Sequence, residues 1–204
     1  MNDKPPKSDS TQPNARANGE RETLVALSNL GSRLALLQDL REGLDEVLAA
    51  VIQLLGADKG NIQLLDAERG TLTVVVQRGF EQSFLDTFKS VSTIDETACG
   101  RALRLRRSIA IADIETDLAY TRFRAVARAA GYRAVVSAPI MGSEALPIGM
   151  VSAHFSYTHE ATERQKLLLE VCTDVARDFI QRCKTDGAKS KTQVPPPMAL
   201  KAVS

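Results

Sequence analysis

The chain has 204 residues, with 26 Lys and Arg against 25 Asp and Glu for a formal net charge of +1, and 44% apolar residues. That balance excludes global attraction to nucleic acid or an anionic membrane, and 4% aromatic content without tryptophan leaves no stacking platform for single-stranded nucleic acid. No apolar run approaches the roughly 20 residues that span a bilayer, the polar N-terminal stretch lacks the apolar core of a secretory signal, and Cys99, Cys172 and Cys183 form no CxxC pair; the expectation is a cytoplasmic protein with free thiols and no membrane contact.

Residues 1–20 have almost no apolar content and are read as a disordered tail, as are residues 185–204 with their lysines and the Pro195-Pro-Pro197 run. A single domain over 21–184 is expected between them. It opens with Leu24, Leu27, Leu30, Leu34, Leu37 and Leu40 at spacings of three and four, an amphipathic helix that Gly31 weakens by about 1 kcal/mol. A second helix carries Leu44, Val47, Leu48, Val51, Ile52 and Leu55 and stops at Gly56. Residues 60–66 and 71–78 read as a β-hairpin around the turn 67–70. Phe80, Phe84, Leu85 and Phe88 share a helical face, residues 97–107 form another short helix, 109–112 a strand, and 117–130 a helix that Gly131 ends. The run Arg133 to Met141 is almost wholly apolar, as a strand covered on both faces is. After a turn at 142–144, residues 148–155 alternate, with Met150, Ser152 and His154 on one side and Val151, Ala153 and Phe155 on the other. A final helix runs from Thr162, its N-cap, to about Lys184. Strands joined by hairpins with helices between them predict an α+β sandwich: an antiparallel sheet with helices on both faces.

These residues resemble the GAF domain family from about Leu44 to Ile180. The resemblance is carried by Leu44-x-x-Val47-Leu48 before Gly56-Ala-Asp58, the 60–72 hairpin, Arg78-Gly-Phe80, Ala98-Cys-Gly-x-Ala102-Leu103, Ile111-x-Asp113, Gly131-x-Arg-Ala-Val135 with Pro139, Gly149-Met with Ser152-x-His154-Phe155, and Glu170 with Ala176 and Ile180. No one motif is diagnostic; their order and spacing together are specific. The chain looks most like the GAF modules of bacterial sensor histidine kinases. The resemblance implies about six antiparallel strands, flanking N- and C-terminal helices, and a pocket between the sheet and the helices of roughly residues 80–130. It implies sensory binding rather than catalysis.

Candidate ligand-binding residues are Cys99, Arg101, Arg104, Tyr120, Phe123, Ser137, Ser152 and His154. Cys99 opens a short helix near arginines, a setting that favours a thiolate; the plainer and preferred reading is a small buried side chain. Arg101 and Arg104 share a helix face and suit a phosphate or carboxylate, against the preferred alternative of a solvated basic face. His154 is either a pocket hydrogen-bonding group or haem ligand, or a satisfied core histidine; with His159 it forms no metal-ligand spacing, and no catalytic or metal site is assigned. Tyr120 and Phe123 lie where the resemblance places a pocket lid. Leu168, Val171, Cys172, Val175, Phe179 and Cys183 recur at helical spacing; with the N-terminal leucines they predict a bundle of the two helices whose exposed remainder forms a homodimer seam, against the alternative that the stripe packs on the chain's own sheet.

The favoured function is a cytoplasmic regulatory protein of a two-component type of system. It binds an unidentified small molecule and signals in trans to a histidine kinase or other output protein. The alternatives are a ligand-free dimeric scaffold whose pocket is closed by Ala98, Ala134 and Ala138, and a GAF-type free methionine sulfoxide reductase, for which Cys99 lacks a nearby resolving cysteine. No cofactor is named. A cyclic-nucleotide site is disfavoured because Asp95-Glu96 lacks the family's preceding Asn-Lys pair, and a bilin site because Asp113-Ile114-Glu115 lacks its proline.

Overall fold

Alternation of small apolar and polar residues along three neighbouring strands sets the architecture, because each strand presents one side chain in two to each face. The computed structural model describes residues 12–192. The elements are α1 (Gln12–Leu36), α2 (Leu40–Leu55), β1 (Lys59–Asp66), β2 (Thr71–Arg78), α3 (Gln82–Thr87), β3 (Val91–Ser92), α4 (Ala98–Leu105), β4 (Ile109–Ile111), a 3-10 segment (Leu118–Phe123), α5 (Arg124–Ala129), β5 (Ala134–Met141), a short 3-10 turn, β6 (Pro147–Phe155) and α6 (Glu163–Thr192). The six strands form one antiparallel sheet in the order β3-β2-β1-β6-β5-β4.

One face of the sheet carries Ile62, Ala134, Val136, Ala138, Ile140, Val151, Ala153 and Phe155, packed against the apolar stripes of α2 and α6. Leu44, Val47, Leu48 and Val51 of α2 are fully buried there, and each contributes about 1.5–3 kcal/mol of transfer free energy. The opposite face packs under α3, α4, the 3-10 segment and α5, in a second core of Phe80, Phe84, Phe88, Leu103, Tyr120, Tyr132 and Met150.

Capping explains where the helices start and stop. Asp39 accepts from Glu42 N–H at 2.9 Å and begins α2. Gly56, at φ 65°, ends it with Gly56 N–H donating to Gln53 O and Ala57 N–H to Ile52 O, the paired bonds of a Schellman motif. Thr162 and Gln165 form a reciprocal capping box: Gln165 N–H donates to Thr162 Oγ1 at 3.2 Å, and Thr162 N–H to Gln165 Oε1 at 3.0 Å. Gln165 Nε2 also donates to Leu55 O at 2.8 Å, tying α6 to the end of α2.

The observed elements differ from the sequence expectation in four places. The first helix stops at Leu36 rather than continuing to Leu40, and Leu30 and Leu34 are buried while Leu24 is 69% exposed. The helix expected over 117–130 is a 3-10 segment followed by α5. The two-residue strand β3 was not expected. Helices α1 and α6 extend to Gln12 and Thr192, into the stretches assigned to tails; residues 1–11 and 193–204 lie outside the described residues.

Helices α1 and α6 lie side by side and parallel. Arg164, near the start of α6, donates to Gly19 O and Thr23 Oγ1. Arg182, five turns on, donates to Leu34 O and Leu37 O.

Candidate functional site

Register across the sheet gathers the polar residues of the second face. Asn61 of β1 pairs with Ser152 of β6, which pairs with Ser137 of β5; Gln63 pairs with Met150, and His154 with Val135. Directly paired residues point to the same side of a sheet. The result is a row of Asn61, Ser152 and Ser137 flanked by Gln63 and His154, all 4% exposed or less. Above them come Thr97 at the cap of α4 and Ala98 and Cys99 in its first turn, Tyr120 and Tyr132 from the segment around α5, and Phe84 and Phe88 from and beside α3. These side chains enclose a cavity of about 20 Å³, room for about one water molecule.

Within this cluster the hydroxyls satisfy one another. Ser137 Oγ and Ser152 Oγ are 2.7 Å apart, and Tyr120 Oη and Tyr132 Oη 2.8 Å. Thr97 Oγ1 caps α4 by accepting from Gly100 N–H at 3.1 Å and lies 3.3 Å from Cys99 Sγ. Asn61 Oδ1, Gln63 Oε1 and His154 Nδ1 are buried without a hydrogen-bond partner among the described residues. His154 is boxed by rings: Phe80 at 4.9 Å and Tyr132 at 4.7 Å between centroids, both edge-on.

The site is electrically neutral. Burial, reinforced by the Lys59 charge, lowers His154 to about 3 and keeps the imidazole uncharged. Burial likewise raises Tyr120, Tyr132 and the Cys99 thiol, whose bond with Thr97 offsets part of the effect. Cys99 therefore stays a thiol although part of the residue reaches the surface. Lys59 turns away, donating to Gly79 O at 2.9 Å and sitting 5.7 Å from the Phe80 ring centre.

A layer of ion pairs holds the covering segment. Arg101 of α4 bonds Asp117 at 2.8 Å, Arg128 bonds Glu115 and Arg133 bonds Asp113, while Arg124 donates to Ile114 O and Asp117 O. The guanidiniums of Arg133 and Arg128 hold Asp113 and Glu115 below the usual carboxylate range.

A family model described as GAF domain matches residues 38–177. The chain belongs to the GAF domain family. No curated protein matches its sequence. Its fold is shared by the GAF domain of a phosphoenolpyruvate-protein phosphotransferase from Coxiella burnetii (16% identity, TM-score 0.69, covering 81% of this chain and 96% of that one). It is shared also by the free methionine-R-sulfoxide reductase of Neisseria meningitidis in complex with its substrate (15%, 0.66, 80% and 91%). A third such structure is a domain of a protein described as a two-component sensor histidine kinase from Sinorhizobium meliloti (18%, 0.61, 72% and 94%).

On this GAF fold the eight sequence candidates divide. Cys99, Tyr120, Ser137, Ser152 and His154 meet at the cavity. Phe123 stands behind its wall, against Phe88 and Tyr120 at 5.9 and 5.8 Å. Arg101 points to Asp117 and an outer groove beside α6, with its Nε buried and unpartnered among the described residues. Arg104 faces outward, donating to Thr93 O and pairing with Glu96. Neither arginine lines the cavity. Asn61, Gln63, Thr97 and Tyr132 were missed, though Asn61-x-Gln63 is the same polar alternation that drew attention to Ser152-x-His154.

Neither histidine presents a haem site as the side chains stand. His154 borders a space of about 20 Å³. His159 sits across the sheet, stacked on Phe155 at 3.9 Å with Nε2 3.1 Å from Gln165 Oε1. No cluster of three or more metal-ligating side chains occurs among the described residues, and no helix there is long and apolar enough to cross a membrane.

Proposed function

We propose that this GAF domain is a regulatory module that binds a small molecule on the polar face of the sheet, beneath α3 and α4, and transmits occupancy through α1 and α6 to a partner protein. The observation that carries this reading is the set of three unpartnered polar atoms on Asn61, Gln63 and His154 within one buried cluster. Each such atom costs about 1–3 kcal/mol of desolvation. A face built only for packing is better served by apolar side chains, as on the opposite side. Binding in a space of about 20 Å³ requires the covering segment to move outward, so ligand affinity is discounted by the cost of opening.

Exposed Leu24 and Val25 on α1, with Leu167 and Val171 on α6, support association of two copies through these helices. A cytoplasmic setting and a histidine kinase or other output protein as recipient belong to the same proposal.

The test is native mass spectrometry of the full chain beside a Gln63→Leu variant. A defined extra mass on the wild type, lost in a variant with a higher thermal midpoint, supports the reading. Absence of a retained mass together with a destabilised variant refutes it.

The second reading, a ligand-free scaffold, is favoured by the near-complete filling of the same cavity. The reductase reading is weakened by cysteine placement. Cys172 is buried in the opposite core layer, and Cys183 lies 3.5 Å from Gln38 O, so neither neighbours Cys99.

A further inference from the structure

Resting on the small-molecule reading above, the character of the ligand can be taken from what the cavity offers. The Ser137–Ser152 and Tyr120–Tyr132 pairs consume each other's hydroxyls at 2.7 and 2.8 Å. What remains is Asn61 Oδ1, Gln63 Oε1 and His154 Nδ1. A carboxamide oxygen only accepts hydrogen bonds while its NH2 group donates them, and a nitrogen of a neutral imidazole does one or the other according to the tautomer. No carboxylate, lysine or arginine borders the cavity. Arg101 and Arg104, the side chains suited to an anion, pair with Asp117, Thr93 O and Glu96 and do not line it, although Arg101 Nε is left without a partner among the described residues.

An ionic ligand would therefore be desolvated without a counter-charge, which costs several kcal/mol. A molecule with acceptors alone would leave the two orphaned carboxamide oxygens unmatched. The Phe84 and Phe88 rings on the covering side suit a flat body. We infer that the site takes an uncharged, planar molecule that donates N–H groups to Asn61 and Gln63, of the amide, urea or lactam class. Such a molecule displaces the α3–α4 cover as it enters.

Matched pairs test this, each sharing a ring and differing by a carboxylate: nicotinamide against nicotinate, and uracil against orotate. Each is titrated into the full chain while the His154 ring signals and the side-chain amide signals of Asn61 and Gln63 are followed by NMR. The expected result is that at least one neutral member shifts those signals and binds at least tenfold more tightly than its anionic counterpart, and that Gln63→Leu abolishes the shift. Equal or tighter binding of the anions at the same signals overturns the inference and leaves the small-molecule site standing. Silence from all four probes at millimolar concentration overturns the amide-class assignment. Silence combined with no retained mass in native spectrometry removes the site reading as well.

Discussion

Replacing His154 with glutamine isolates the electrical neutrality of the buried face. In the native state burial lowers the imidazole from an ordinary 6.5 to about 3. Between those values the unfolded chain binds a proton that the native chain refuses. Stability then rises with pH across that window and falls on acidification, by about 1.4 kcal/mol per pH unit. From pH 7 to pH 5 the wild type loses about 2 kcal/mol through this group alone. The surroundings give no compensation, since Phe80, Phe84 and Tyr132 enclose the ring and the nearby charge is Lys59, which opposes protonation. Urea unfolding of wild type and His154→Gln, followed by circular dichroism at pH 7, 6 and 5, reads the effect as a difference of slopes; His159 and the carboxylates are common to both proteins and cancel. The glutamine variant should lose about 2 kcal/mol less than the wild type over this range, whatever its absolute stability. Parallel stability profiles would refute the argument, because they would mean that the ring is hydrated or has an acidic partner.

Two further outcomes follow from the covering segment. Gly100→Ala places a Cβ 2.3 Å from Asp95 O and 2.8 Å from Ser92 O; the overpacking cost of about 1–3 kcal/mol outweighs the gain of about 1 kcal/mol in helix propensity, so chemical denaturation should show net destabilisation, and a more stable variant would discredit the α4 packing. Asp113, held below its ordinary 3.8 mainly by the Arg133 hydrogen bond, contributes stability that is complete above that value and is lost as pH falls through the lower native one; hydrogen-exchange protection over residues 112–133, taken relative to the intrinsic exchange rate at each pH, should therefore fall below about pH 4 in the wild type, whereas in Asp113→Asn it should be lower already at neutral pH and respond less to acid.

Much of this architecture was legible because it depends on local chemistry. Gly56 and Thr162 mark helix ends through bonds that span only a few residues. The period of two in residues 148–155 assigned Ser152 and His154 to one face before any partner strand was known. The misses have physical causes as well. Strand β3 has two residues and pairs only with Thr71 and Leu72, so no pattern within it announces a strand. Asn61 and Gln63 alternate within a hairpin strand, one face of which is often solvated, and only the neighbouring β6 shows that their side is buried. Arg101 and Arg104 were read from helix spacing, which places them together but does not say which way the helix turns its face. That orientation is set by Ala98, Ala102 and Leu103, which point inward and leave the arginines outside.

The parallel pairing of α1 and α6 gives the molecule a polarity like that of a strut in a mast. Because both helices run the same way, the Gln12 end and the Thr192 end lie at opposite extremities of the pair. Arg182 grips two carbonyls at the end of α1 while its guanidinium rests 4.9 Å from the Phe179 ring centre. Leu169, Cys172, Ala176 and Phe179 of α6 are buried on the sheet, so sliding α6 by one residue, about 1.5 Å along its axis, breaks that grip and shears the core beneath it together.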